Sequence, residues 1–229
     1  MTSRELKNGR VNATLTQVEA AARLGVSQPY LSLMERGGRS VTARVARVAA
    51  KLYRLPPTVL PLGGEHAKHR GDREKLVRQL AALGYPGYRH FRPGQRANPA
   101  LVVLQALSQD DLDARVVQAL PWVLSEYPEL DWDWLVPRAK LQDLQNRLGF
   151  LVGVARRLTG SRGDRSDAER RLAEVEHQLE RARLATETTL GREAMPLAER
   201  NWLREHRPHD ARHWNVLTSL TPEQLPYAP

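Results

Sequence analysis

Apolar residues recur along this chain at helical spacing, and no segment alternates polar and apolar positions with the β-branched enrichment of a strand. Thr16-Gln17-Val18-Glu19 is a capping-box pattern: the Thr16 hydroxyl can accept from a first-turn N–H while Glu19 reaches back to the cap. Val18, Ala21, Ala22 and Leu24 follow at helical spacing, and Gly25 stops the helix. Ser27 can cap a second helix, with Pro29 in its tolerant first turn. Thr42 can cap a third, which carries Val45, Val48, Ala49 and Leu52 on one face. Leu55-Pro56-Pro57-Thr58 breaks that helix, and a short apolar segment ends at Gly63-Gly64.

Beyond this point residues 64–71 read as a linker and Asp72 to Leu83 as an amphipathic helix closed by Gly84. Residues 85–99 mix Tyr, Pro, Gly and Arg and are expected to be irregular. Asn98-Pro99 opens a helix; Ser108-Gln109-Asp110-Asp111 starts another, with Leu112, Val116, Leu120 and Leu124 spaced by four. One long helix is expected from about Trp132 to Leu158, then a Gly/Ser-rich break over Thr159 to Asp164. Ser166 to Thr186 is helical with Leu172, Val175, Leu179 and Ala182 at a/d spacing, only about two heptads. A last helix is expected near Leu197 to Glu205. The fold class is therefore all-α, with a domain over residues 1–63, a basic linker with one helix over 64–99, and a helical region over 100–229.

Charge divides the chain in the same direction. It holds 35 Lys+Arg against 26 Asp+Glu, and only 5 of the cations are lysine. Residues 1–97 carry 18 cations and 6 acids, whereas residues 98–229 carry 17 and 20. A basic front of this kind is the electrostatic footprint of a polyanion binder, and arginine's planar fork suits phosphate and guanine edges. No apolar run approaches the roughly 20 residues of a membrane helix, so no membrane partner is expected. Met1-Thr2-Ser3-Arg4-Glu5 opens no apolar leader, which points to the cytoplasm. The absence of cysteine excludes disulfides, Cys-ligated zinc and thiol catalysis.

The informative stretch is Gln17 to Arg36, two helices joined by Leu24-Gly25-Val26-Ser27. Two helices crossing this closely need a small residue at the crossing, a residue tolerant of positive φ in the turn, and an apolar residue pointing back from the second helix. Ala21, Gly25 and Leu31 satisfy these in register. Here the chain resembles the Cro/CI-type (XRE) helix-turn-helix family over residues 4–62, through Leu15-Thr16-Gln17, Ala21, Leu24-Gly25-Val26-Ser27, Leu31-Ser32 and Glu35-Arg36-Gly37. It departs at Asn8-Gly9 and Asn12, which weaken helix 1, and at Gly37-Gly38-Arg39-Ser40, which lacks the proline often found there.

The resemblance implies a five-helix, usually dimeric domain whose second motif helix enters the major groove of double-stranded DNA. Gln28, Pro29, Ser32, Leu33 and Arg36 face away from Leu31 and Met34. Gln28 suits adenine, Ser32 either edge, and Pro29 and Leu33 a thymine methyl. The resemblance sets Gln17 on the phosphate and beside Gln28. Ser27 caps the helix at the same surface, and Arg36, Arg39 and Arg44 are expected phosphate clamps. The expectation is a sequence-specific transcriptional regulator on a pseudo-palindromic operator, with the rear region serving dimerisation, a protein partner or a sensor. The alternative is an antitoxin-like protein that neutralises a partner through its rear region and autoregulates its operon.

Weaker signals carry less. Tyr85, Tyr88 and Phe91 interleave with Arg89, His90, Arg92 and Arg96, a pattern that either grips nucleic acid or pins a linker. His206, His209 and His213 have metal-like spacing, but Pro208 interrupts them. Trp122, Tyr127, Trp132 and Trp134 gather around Pro128, as in an ordinary helical core. No nucleophile–base pairing or phosphate loop is present, so no catalytic residue, cofactor or metal is expected and the chain is read as a non-enzyme.

Overall fold

Thr2, Thr16, Ser27 and Thr42 each accept a first-turn N–H and start the four helices of the N-terminal unit. A computed structural model of the chain describes residues 1–62, 73–160 and 166–226. The expected 64–71 linker and most of the 159–164 break lie outside them. The chain forms two compact units, Met1–Gly63 and Gly64–Pro229. No described helix is long and apolar enough to cross a membrane.

In the first unit, α1 (Ser3–Asn12), α2 (Gln17–Leu24), α3 (Gln28–Glu35) and α4 (Ala43–Leu52) are followed by a single 3-10 turn, Pro57–Val59, in place of a fifth α-helix. Helix α1 forms despite Asn8, Gly9 and Asn12. Thr2 and Glu5 close a reciprocal capping box at its start, and Gly9 lets the helix approach the end of α4. A Cβ at Gly9 would stand 2.9 Å from the Tyr53 ring. The core is Leu6, Ala20, Ala21, Leu24, Leu31, Met34, Val45, Ala49 and Tyr53. Two sequence expectations shift here. Val18 is 67% exposed and Val48 sits at the surface. Ala20 and Ala46 are buried in their stead, so each helix meets the core one or two positions round from the expected face.

The second unit is organised around α9 (Gln145–Gly160), buried from Gln145 to Ala155 and at Leu158 and Thr159. Against it pack α7 (Ala114–Glu126), α8 (Trp132–Lys140), α10 (Ser166–Glu180) and α12 (His209–His213). Helix α5 (Arg73–Leu83) packs on α6 (Pro99–Leu107) and on α7. Helix α11 (Leu197–His206) completes the set. Gly149 makes the packing on α9 achievable: a Cβ there would lie 2.4 Å from the Trp214 ring. Arg147, also on α9, donates to Thr188 Oγ1 and to the Leu107 carbonyl at 3.0 Å each, and pairs with Glu193. Burial pulls its pKa down, against the opposing charges of Glu193 and Asp110.

Three further expectations are corrected. The single helix expected over 132–158 is two, because the chain turns at Leu141–Leu144, with Asp143 at φ 56° and the Leu144 N–H returning to the Ala139 carbonyl. The helix expected from Ser108 begins at Ala114 and is capped by Asp113, while Leu112 donates instead to the Gly191 carbonyl. The chain also has a small sheet: β1 (Thr188–Thr189) and β2 (Val216–Leu217) pair in parallel, Thr188 opposite Val216. Two residues per strand are too few to leave an alternating pattern.

Candidate nucleic-acid interface

The turn between α2 and α3 is built from three residues. Gly25 adopts φ 67°, ψ 41°, the left-handed conformation that L side chains resist. Val26 donates back to the Ala21 carbonyl at 3.0 Å, and Ser27 accepts from the Tyr30 N–H at 3.4 Å. Ala21 (2% exposed) and Leu31 (0%) meet in the core beneath the turn. The three positions that the sequence set in register are therefore the three that hold the motif.

A chain of side-chain bonds runs outward from this core to the surface of α3. Arg10 donates to both carboxylate oxygens of Glu35, at 2.6 and 2.9 Å, and to the Leu15 carbonyl at 2.9 Å. Gln17 Nε2 donates to Glu35 Oε2 at 2.9 Å, and Gln28 Nε2 donates to Gln17 Oε1 at 2.8 Å. The Glu35 side chain is only 1% exposed. Burial pushes its carboxyl up, but the bonds from Arg10 and Gln17 and the nearby cations outweigh this and hold it below the ordinary carboxylate range. The same bond raises the pKa of Arg10. Gln28 spends one N–H on Gln17. Its other N–H and its carbonyl oxygen are left for a donor–acceptor pair such as the major-groove edge of adenine.

The predicted contact residues fall into two groups. Gln17 at the start of α2 and Gln28 and Ser32 on α3 are half-buried, and Ser27, Pro29 and Leu33 are exposed beside them. Leu33 is 40% exposed, so an apolar side chain faces water on this surface. Arg36 caps the end of α3 and leans back on the Ser32 carbonyl at 3.3 Å. Arg39 is exposed in the following turn. Arg44 lies elsewhere: its guanidinium is 3.5 Å from the place a Cβ would occupy on Gly25, over the motif turn.

Sequence reasoning missed Arg10 and the role of Glu35. The available signal was Glu35 itself, four residues after Leu31 and beside Met34 on the inward face of α3. A carboxylate on an apolar face demands a cation. The same oversight concealed the electrostatics. Residues 1–62 hold ten cations and three acids, and each acid is used internally. Glu5 and Glu19 close capping boxes, and Glu35 holds Arg10. The other nine cations are exposed.

The secondary candidates separate. His206 stacks on Trp202 at 4.6 Å, His213 bonds Glu180 at 2.6 Å and His209 is exposed; no described group of three such residues could hold a metal ion. Trp132 is buried and donates to the Pro128 carbonyl at 2.8 Å, Trp122 meets Tyr85 edge-on, and Arg138 covers the Trp134 ring.

No curated protein and no solved structure matches the chain. Residues 3–62 match the family described as "Helix-turn-helix domain". With capped helices, a left-handed glycine turn, an outward glutamine and a surplus of exposed cations, the first unit of this chain is a helix-turn-helix domain, a module that points to DNA binding and transcription regulation.

Proposed function

We propose that the chain is a Cro/CI-type (XRE) transcriptional regulator. It binds specific double-stranded DNA in the cytoplasm as a homodimer and catalyses no reaction. The observation that carries this reading is the bonded series Arg10, Glu35, Gln17, Gln28, which delivers an amide with free donor and acceptor positions to the N-terminal end of α3. That end of a recognition helix addresses base edges. Gln28 and Ser32 read them by hydrogen bonds, Pro29 and Leu33 by contact with a thymine methyl. Gln17, Ser27, Arg36, Arg39 and Arg44 hold phosphates and set register rather than sequence. Two copies about 34 Å apart read the halves of a pseudo-palindrome, and the second unit supplies the dimer, partner or sensor surface.

Selection of bound sites from a random duplex library, followed by binding at graded salt, tests this. The expected result is a palindromic site with steep salt dependence. Binding without preference would overturn the regulator reading. A stable co-purifying protein, with DNA binding confined to the chain's own promoter, would favour the antitoxin-like reading instead.

A further inference from the structure

Residues 75–109 contain five cations, Lys75, Arg78, Arg89, Arg92 and Arg96, and no aspartate or glutamate. The fold gives this bias a fixed shape. Tyr85 and Tyr88 are buried and meet edge to face at 5.4 Å, and Tyr85 meets Trp122 of α7 in the same way. Gly94 donates to the Arg78 carbonyl at 3.0 Å, so close to α5 that a Cβ would stand 2.9 Å from that of Arg78. Between these pins the chain arches over the surface and exposes Arg89, His90, Phe91 and Arg92. Phe91 is 48% exposed and, with Tyr88, walls a cavity of about 420 Å³. Arg73 on its rim is tied to Asp113, and Glu74 to Arg78. Among the described residues, the side chains of Arg89, Arg92 and Arg115 have no such partner.

We propose that this arch in the second unit is a second nucleic-acid contact, gripping the phosphate backbone of duplex DNA irrespective of sequence, with Arg89 and Arg92 as the phosphate ligands. Arginines on an ordered loop that are not tied to an acid can neutralise phosphates, and the release of the cations condensed on the duplex is what drives sequence-independent binding. Phe91 offers the sugars an apolar face between the two charges. The proposal rests on the DNA-binding reading of the first unit. The two units follow one another directly in a single chain, and tethering makes a second, weak contact with the same duplex an intramolecular one. The arch has no periodic surface or base-reading helix, so it adds affinity without preference.

Anisotropy titrations of the full-length chain with a labelled duplex of arbitrary sequence, and with its single strand, across a potassium chloride series test the proposal. The Arg89→Ala/Arg92→Ala variant is expected to bind every duplex more weakly by a common factor. Its log–log salt slope should flatten by up to about 1.8, or 0.9 for each phosphate. Arg89→Lys/Arg92→Lys should restore the slope, since a point charge suffices for phosphate. An unchanged slope in the Ala variant, a loss confined to the single strand, or a Lys variant as weak as the Ala variant would each overturn the proposal. If the wild-type chain binds no duplex, the regulator reading falls with it. If the wild type binds and the Ala variant matches it, the arch alone is refuted.

Discussion

In the first unit one arginine, Arg10, meets a carboxylate, and nine cations face water. In the second unit many arginines are instead tied to acids, some in the interior and some at the surface. Arg147 pairs with Glu193, Arg192 with Glu199, Arg204 and Arg207 with Glu187, and Arg156 with Glu176. The difference lies in the supply of acids rather than of arginines. Where each glutamate is consumed in a cap or a buried pair, arginine charge projects outward as a field for polyanions. Where glutamates are plentiful, arginine closes tertiary contacts and little net field remains. The arch over residues 86–97 departs from its own unit in this respect and behaves like the first.

The largest expected effect attacks the one buried pair of the first unit. Glu35→Ala leaves Arg10 unpaired in the interior and should cost about 3–5 kcal/mol. Hydrogen exchange should accelerate across α1 to α3 and not across α9. Gly149→Ala is the counterpart in the second unit. A methyl driven into the Trp214 ring should cost about 1–3 kcal/mol, with faster exchange in α9 and α10 and an unaltered first unit. Gln28→Ala should leave stability unchanged while lowering discrimination at one base position by about 1–3 kcal/mol, read as relaxed preference in site selection.

Acid sharpens the same contrast. Glu35 titrates below its ordinary value of 4.5 in the folded chain, so its contribution is complete above that pH and fades as the pH falls through the lower folded value. The stability gap between the wild type and Glu35→Gln should therefore narrow only below pH 4.5. The smallest effect is expected from Arg39→Ala, which should change stability by less than about 0.5 kcal/mol. Its salt slope on DNA should flatten by about 0.9, with sequence preference intact.

What the sequence announces is whatever is decided within a few residues. The caps at Thr16, Ser27, Thr42 and Asn98, the left-handed Gly25 and the Ala21–Leu31 crossing are all local, and each is where the pattern places it. What it conceals is decided at a distance. Glu35 finds Arg10 from 25 positions away. Thr188 finds Val216 by a pairing too short for periodicity to record. The turn at Leu141–Leu144 interrupts a stretch compatible with continuous helix, and it lets α8 pack on α6 as well as on α9. The outward face of α3 was legible as a face. The support beneath it was not, since a buried glutamate declares only that some cation must exist.

On the proposed reading, that support also fixes when Gln28 loses its freedom. A glutamine waving in solvent must be immobilised as it meets a base, at about 0.5–1.5 kcal/mol per side chain. Gln28 is already clamped by Gln17, which is clamped by Glu35. The entropy of ordering is therefore surrendered while the chain folds, before any duplex arrives. If Gln28 reads a base as proposed, a substitution at Glu35 that spared the fold would blur recognition from the interior.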